Sequence, residues 1–210
     1  MSEYPERWDN DPAEPVAEAE PVIDPIVDPA VADEDEEVVT SEPQHAPGGV
    51  DIPDDVDVLE GEAGPTRRAI AIVLAKFNGE ITTQLLASAL AELDRVGIER
   101  SQITVVPVPG AFELPLAAMA LAKTRRYSCV IALGCVIRGE TPHFEYVASE
   151  AASGLQLAGL ETGIPVAFGV LTCDNVEQAE ARVGKGGDAV RTGLEMADLF
   201  SQLRQTAASG

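Results

Sequence analysis

The stretch CVIALGCVIRGETPHF, residues 129–144, decides the fold of this chain. Its first nine residues are a continuous apolar run, which is typical of a strand buried on both faces of a parallel sheet. A polar turn follows, and a helix is predicted to start after Pro142. Gly139 lets backbone amides approach a ligand, and the helix start directs unpaired N–H groups and a positive dipole end toward it. The turn is therefore predicted to hold an anion such as phosphate, beside His143 as a proton carrier.

The composition of the chain changes sharply near Gly64. Residues 1–64 contain 21 of the 36 acidic residues, nine of the 15 prolines and one basic residue, so they carry 20 of the 22 net negative charges. Such a segment cannot bury enough apolar surface to offset its ordering entropy. We therefore predict a disordered acidic tail over residues 1–55, which includes His45, the only histidine besides His143.

The remaining residues have the composition of one ordinary soluble domain. Residues 65–210 contain 13 basic and 15 acidic residues and are rich in small and branched apolar side chains. We assign the domain to residues 56–204, with a short strand at a subunit contact over 56–62 and a flexible C-terminus over 205–210. Neither the tail nor the domain has the basic stripe that nucleic-acid binding requires, so no nucleic-acid partner is expected.

No targeting or membrane segment is visible in the sequence. The first ten residues, MSEYPERWDN, lack the basic region and apolar core of a signal peptide, and no window approaches the roughly 18 continuous apolar residues of a membrane span. The protein is expected to be cytoplasmic, without membrane contact. Cys129, Cys135 and Cys173 each lie in an apolar run, which favours buried free thiols over a disulfide or a zinc site. No metal-ligand cluster is visible, so no metal is expected.

Two patterns alternate along the domain. Four short apolar runs are predicted to be strands: AIAIVLA (69–75), ITVVPV (103–108), CVIALGCVI (129–137) and PVAFGVL (165–171). Apolar residues at helical spacing fall within residues 85–93, 112–120, 144–158, 176–183 and 190–197. Strand, helix and strand repeated in this way predict right-handed crossovers and a doubly wound α/β fold with a four-stranded parallel sheet. Because four strands make a small sheet, a partner subunit is expected.

The carboxyl ends of the strands define the expected site, since ligands bind there in sheets of this kind. The segments that follow the strands are Lys76-Phe77-Asn78, Pro109 to Glu113, Arg138 to His143, and Thr172-Cys173-Asp174. Together they bring two aromatic rings, a carboxylate, a glycine turn and a histidine to one edge of the sheet. This set suits a flat polar ring plus a phosphate, with acid–base chemistry between them.

A series of motifs runs along the domain in a fixed order. They are LEG (59–61), KFNGEIT (76–82), VPGAFELP (108–115), ALGCVIRGETPHFEYV (132–147), PVAFGVLT (165–172) and EMADLF (195–200). Their order and spacing resemble those of the lumazine synthase family, which catalyses the penultimate step of riboflavin biosynthesis. The resemblance covers about residues 57–200 and implies a three-layer, flavodoxin-like form of the predicted fold.

The resemblance implies an enzyme, a transferase that acts on two small-molecule substrates. The family condenses 5-amino-6-ribitylamino-2,4-pyrimidinedione with 3,4-dihydroxy-2-butanone 4-phosphate. The products are 6,7-dimethyl-8-ribityllumazine, phosphate and two waters, and no metal or organic cofactor is used. Family members assemble as homopentamers or as 60-mers built from twelve pentamers, which leaves both assemblies open here. Riboflavin synthase is the protein partner that the resemblance implies.

The resemblance also implies a role for each motif residue. His143 would be the catalytic residue that moves protons, and Phe77 would stack on the pyrimidine. Contacts with the pyrimidine or its ribityl chain are implied for Ala111, Phe112, Glu113, Val136, Ile137 and, from the neighbouring subunit, Phe168. Phosphate contacts are implied for Gly139, Glu140, Thr141 and, from the neighbouring subunit, Arg182 and Lys185. The site would therefore lie between protomers.

Five side chains have a plain structural alternative. His143 would otherwise be a hydrogen-bonded surface residue at the helix start. Phe77 and Phe168 would otherwise be core residues, since both follow or lie in apolar strands. Glu113 would otherwise interact with the positive end of its helix. Arg138 either contacts the phosphate or pairs with an acidic neighbour.

The chain departs from the family pattern in one connection. Only Val183-Gly184 separates Arg182 from Lys185, where the family has a longer glycine-rich basic loop. Two cations three positions apart either clamp one phosphate from two sides, or one of them is displaced.

Two other functions would use the same scaffold. The first is that of the related archaeal-type riboflavin synthase, although the GAFE and RGETPH motifs fit lumazine synthase better. The second is a catalytically weak assembly shell that binds lumazine or flavin. The short connection favours such a shell, whereas the intact set of Phe77, Glu113 and His143 argues against it.

Overall fold

Four parallel strands form the central sheet, in the order β2-β1-β3-β4. Their bounds are Ala69–Ala75 for β1, Ile103–Val108 for β2, Tyr127–Ile137 for β3 and Val166–Cys173 for β4. The computed structural model describes residues 49–209, and all strands belong to the compact unit that begins at Ile52. The four predicted strands are confirmed, with β1 and β2 at the predicted bounds.

Five α-helices cover the sheet in the described part of the chain. They are α1 (Gly79–Arg95), α2 (Leu114–Lys123), α3 (His143–Thr162), α4 (Val176–Glu180) and α5 (Lys185–Ser209). α2 and α3 pack against each other on one face, and α1 and α5 on the other. The predicted three-layer α/β fold with a parallel sheet is therefore confirmed. None of the helices in residues 49–209 is long and apolar enough to cross a membrane.

The two central strands carry the core. Ile70, Ile72 and Ile131 are buried on the α1/α5 face, and alternate residues of the same strands are buried on the α2/α3 face. Each fully buried side chain of this size stabilises the fold by about 1.5–3 kcal/mol. β2 differs from the expectation of burial on both faces, because most of it is exposed. It is an edge strand with a neighbour on one side only, and an edge also tolerates its Pro107.

Residues 56–62 form no strand in the described chain, and residues 60–62 lie against α5. The N–H of Glu62 donates to Asp198 Oδ2 at 3.1 Å, and Gln202 Nε2 donates to the carbonyl oxygen of Glu60 at 2.8 Å. A Cβ on Gly61 would overlap the α5 backbone, so this segment lies directly on the helix. Within this chain α5, rather than another strand, is the neighbour of residues 60–62, so the strand expected at a subunit contact stays a prediction. The helix itself continues to Ser209, past the domain end expected at 204.

A buried carboxylate joins α1 to α5. Glu92 of α1 accepts from Arg95 at 2.6 Å and from Arg191 of α5 at 3.1 Å. The hydrogen bond from Arg95 and the charge and hydrogen bond of Arg191 outweigh burial and lower the pKa of Glu92 from 4.5 to about 2. Since the folded pKa lies below the unfolded one, this carboxylate stabilises the fold above about pH 4.5 and loses that contribution as the pH falls toward 2.

The predicted disordered tail falls largely on residues 1–48, outside the described residues, and it stays a prediction. A chain that starts at Val56 is expected to keep the melting temperature and turnover of the full chain. A chain that starts at Pro65 loses the two hydrogen bonds to α5, which are worth about 0.5–1.5 kcal/mol each. It should melt several degrees lower in calorimetry, roughly 2–4 °C for each kcal/mol. A large loss on starting at Val56 would show that the acidic segment is structural.

Candidate active site

A cavity of about 350 Å³ opens where the carboxyl ends of β1, β2 and β3 meet α3. Its lining consists of Phe77, Asn78, Gly110, Ala111, Phe112, Cys135, Val136, Ile137, Gly139, Thr141, His143, Phe144 and Val147. Eight of these residues were expected at the site, in three segments that are far apart in sequence. The sheet edge therefore brings the expected ring, glycine turn and histidine to one place.

The loop after β1 presents Phe77 to solvent. The ring is 70% exposed, so the core alternative for this residue is wrong. Its backbone N–H donates to the carbonyl oxygen of Pro109 at 3.1 Å. The next residue, Asn78, has φ 57°, and its side-chain amide donates to the carbonyl oxygen of Cys135 at 2.9 Å. These bonds hold the loop against the ends of β2 and β3, which leaves the phenyl ring at the cavity.

The turn after β2 is held by Glu113. Its Oε2 accepts from the N–H of Gly110 at 2.9 Å, and its own N–H donates back to the Gly110 carbonyl oxygen at 3.3 Å. This reciprocal arrangement fixes the turn that places Ala111 and Phe112 in the cavity wall. Glu113 itself is half-buried, stands just outside the lining, and keeps Oε1 without a hydrogen bond to the described residues.

The turn after β3 begins with Arg138, whose side chain is held by an ion pair. Arg138 pairs with Asp174 at 2.9 Å and lies 4.9 Å from the centre of the Phe144 ring, so the alternative of an acidic neighbour holds for this residue. Its N–H donates to the carbonyl oxygen of Cys173 at 2.9 Å. The turn is thus joined to the end of β4. Gly139 and Thr141 line the cavity beyond it, while the side chain of Glu140 is exposed outside the lining.

His143 is the first residue of α3, as the sequence predicts. The cap residue Pro142 provides no side-chain hydrogen bond to the helix, so the N–H groups of His143 and Phe144 are open to a ligand, whereas that of Glu145 donates to the Pro142 carbonyl oxygen at 3.0 Å. The imidazole is exposed at the cavity and has no hydrogen-bond partner among residues 49–209. An exposed imidazole beside an anion-attracting helix start has the placement that proton transfer to a phosphorylated substrate requires.

The sequence predicted no individual role for five lining residues. They are Asn78, Gly110, Cys135, Phe144 and Val147. Phe144 and Val147 follow His143 at helical spacing, and that spacing was the available signal. Cys135 carries no such signal, and burial together with the nearby Cys173 raises its pKa to about 11. Its thiol is therefore neutral near pH 7 and contributes apolar wall rather than a nucleophile.

Phe168, Arg182 and Lys185 lie outside this cavity. Phe168 is on the edge strand β4 and 48% exposed, so the core alternative is wrong for it as well. Arg182 Nη1 donates to the carbonyl oxygen of Gln178 at 2.8 Å. Lys185 is the first residue of α5, and its Nζ pairs with Asp188 at 2.9 Å. Both cations are therefore held within the α4–α5 connection, away from the cavity of their own chain.

An α/β domain with an exposed phenyl ring, a glycine turn and a histidine around one cavity has the site of a small-molecule enzyme. The family model for 6,7-dimethyl-8-ribityllumazine synthase matches residues 67–201. The 6,7-dimethyl-8-ribityllumazine synthases of Yersinia pestis (strain Pestoides F) and Yersinia pseudotuberculosis serotype O:1b (strain IP 31758) are each 49% identical to this chain over 155 residues. The match covers 71% of this chain and 99% of each relative. The chain belongs to the 6,7-dimethyl-8-ribityllumazine synthase family, which confirms the resemblance.

Proposed function

We propose that this chain is a transferase of riboflavin biosynthesis that forms 6,7-dimethyl-8-ribityllumazine. Its substrates are 5-amino-6-ribitylamino-2,4-pyrimidinedione and 3,4-dihydroxy-2-butanone 4-phosphate. The observation that carries the proposal is that three of the six motif segments, at residues 76–82, 108–115 and 132–147, meet around one cavity. A volume of about 350 Å³ lies within the range of small-molecule sites.

The pyrimidine substrate occupies the side of the cavity formed by β1, β2 and β3. Phe77 stacks on its ring, because an exposed phenyl face next to a fixed loop offers stacking with little loss of side-chain entropy. The backbone of Val136 and Ile137 binds the ring edge. The ribityl chain lies along Ala111 and Phe112, and Glu113 accepts from its hydroxyls through the oxygen that the turn leaves open.

The phosphate of the second substrate lies at the start of α3. Backbone N–H groups from Gly139 to Thr141 bind it. Glu140 contributes only its backbone, because its side chain is exposed outside the cavity lining. His143 stands between the two substrates and moves protons during imine formation, phosphate loss and ring closure. The site holds both reactants, so orientation supplies a large part of the acceleration.

The functional unit is a homopentamer with each site completed by the neighbouring subunit. Phe168 contributes to the pyrimidine side, and Arg182 and Lys185 contribute to the phosphate. Two observations support this assembly: these three residues stand outside the cavity of their own chain, and Leu116 and Leu160 are 76% and 75% exposed. A 60-mer of such pentamers, a complex with riboflavin synthase and a cytoplasmic location belong to the same proposal. Light scattering at low and high salt measures the assembly, because confined acidic tails would repel one another at low salt.

The direct test mixes the purified chain with both substrates. Green lumazine fluorescence and release of inorganic phosphate in equal amounts are the expected result. Protein that binds lumazine tightly but forms it no faster than the uncatalysed mixture would instead be the shell of the alternative function. Conversion of lumazine itself to riboflavin would indicate the archaeal-type riboflavin synthase reaction.

Replacement of Phe77 tests the stacking contact. Phe77→Ala should weaken binding of the pyrimidine substrate by the roughly 1–3 kcal/mol that base–aromatic stacking supplies, with little change in binding of the butanone phosphate. Phe77→Trp should be tolerated better because it retains a stacking face. Michaelis constants for both substrates and the melting temperature measure the effect. Equal damage to both substrates together with a lower melting temperature would contradict the assignment.

Replacement of Arg182 tests the short connection. Arg182→Ala should raise the Michaelis constant of the butanone phosphate about three- to tenfold, below the full effect of a charge-assisted hydrogen bond, because one donor is already bonded to Gln178. Arg182→Lys should recover only part, since the planar fork is lost. Lys185→Ala should do less, because the start of α5 disfavours an ammonium. Normal kinetics in both alanine variants would place the phosphate on the Gly139–Thr141 turn alone.

A further inference from the structure

One hydroxyl of α1 bridges the two sides of the α5 start. Ser88, half-buried in the middle of α1, donates to the carbonyl oxygen of Gly184 at 3.2 Å. The Ser88 Oγ also accepts from the N–H of Gly187 at 3.1 Å. These two backbone groups stand immediately before and two residues after Lys185. The hydroxyl therefore fixes the backbone that carries this lysine.

Two further contacts bring the same region close to α1. A Cβ on Gly186 would overlap the carbonyl oxygen of Leu85, so the α5 backbone lies directly on that of α1. Asp188 pairs with Lys185 and also with Arg191, which in turn reaches the buried carboxylate of α1. The start of α5 is thus held at its backbone and through a chain of ion pairs.

We propose that Ser88 is a positioning residue for the phosphate site, acting through Lys185 and Arg182. Its two hydrogen bonds take the place of the longer loop, because they set where the connection ends and α5 begins. The inference rests on the proposed function, since it takes the phosphate of the butanone substrate as the anion that both cations serve. Lys185 lies at the start of α5, where the positive end of the helix dipole disfavours its charge. A bound phosphate compensates this repulsion only if the backbone holds the lysine beside it.

The prediction for Ser88 is selective weakening of phosphate binding. Because Ser88 acts on the phosphate indirectly, we expect the effect of one hydrogen bond, about 0.5–1.5 kcal/mol, which corresponds to a roughly two- to twelvefold higher dissociation constant. In the full chain, Ser88→Ala should raise the dissociation constant of inorganic phosphate, measured by calorimetry, and the Michaelis constant of the butanone phosphate by this factor. The Michaelis constant of the pyrimidine should not change, because the loop of Phe77 at the other end of α1 has its own bonds.

Three further variants control for fold and volume. Ser88→Cys keeps the volume but bonds weakly, so it should match Ser88→Ala, while Ser88→Thr keeps the hydroxyl and should restore phosphate binding. Thr83→Ala removes another α1 hydroxyl, one that bonds to Gly79 of the same helix at 2.6 Å, and should leave phosphate binding unchanged.

The inference is overturned if Ser88→Ala and Ser88→Cys bind inorganic phosphate as the unmodified chain does. It is also overturned if both Michaelis constants rise together with a lower melting temperature, because that pattern reports a structural role only. Turnover of the unmodified chain distinguishes failure of this inference from failure of the proposed function. If that chain forms no lumazine while phosphate binding still depends on the Ser88 hydroxyl, the reaction assignment fails and the positioning role stands.

Discussion

Gly186→Ala is expected to lower the free energy of unfolding by about 3 kcal/mol, at the upper end of the cost of overpacking a core. The added methyl group would overlap the Leu85 carbonyl oxygen, and a backbone atom cannot move aside as a flexible side chain can. The α5 start would have to separate from α1, which also strains the buried ion pairs of Glu92. Urea unfolding followed by circular dichroism measures the change.

Two neighbouring glycines provide matched controls for Gly186. Gly184→Ala should be nearly neutral, because no other atom lies within 4 Å of the position that its Cβ would occupy. Gly187→Ala should fall between the two, since its Cβ would meet the Ser88 hydroxyl at 3.4 Å. If Gly186→Ala proves as stable as Gly184→Ala, the α1–α5 contact is looser than the geometry indicates.

His143→Ala should reduce turnover about ten- to hundredfold while leaving both Michaelis constants close to those of the unmodified chain. General acid–base assistance is commonly worth about 10²–10⁴-fold, but the two substrates also react without a catalyst, so part of the acceleration survives. Stopped assays at saturating substrates give the turnover directly. The fold should be unaffected because the imidazole is exposed, so the expected loss is confined to the rate.

A control on the same helix isolates the role of His143. Ser149→Ala replaces another exposed polar side chain of α3 that stands outside the cavity lining, and it should keep full turnover. An unchanged rate for His143→Ala at saturating substrates would show that this residue does not transfer the protons. The reaction would then depend on the oriented binding of the two substrates.

The apolar runs predicted the sheet well because a strand buried on both faces needs a continuous apolar sequence. β1 begins and ends where its run does, and the glycine turn after β3 leads into a helix at His143 as expected. Parallel strand direction then placed the polar segments at one edge without further information. The fold and the position of the cavity at the sheet edge therefore followed from patterns that are local in sequence.

Details that depend on neighbours in space were not readable in the sequence. The exposure of β2 follows from its edge position, and the run ITVVPV does not encode that position. The αL backbone of Asn78 and the bond from Gly110 to Glu113 depend on the packed loop geometry. The contact of Gly186 with α1 likewise arises between residues about a hundred positions apart.

The rate at which the three cysteines react with a thiol reagent reports local unfolding of the chain. All are free and buried, and burial raises the pKa of Cys129 to about 12. Thiolate is the reactive form, so a thiol reagent modifies Cys129 only when β3 leaves the core. Cys135 lies in the wall of the substrate cavity, so a bound ligand should slow its modification without slowing that of Cys129. A single cysteine introduced on the surface would also be labelled against almost no background, which allows distances to be measured within the proposed assembly.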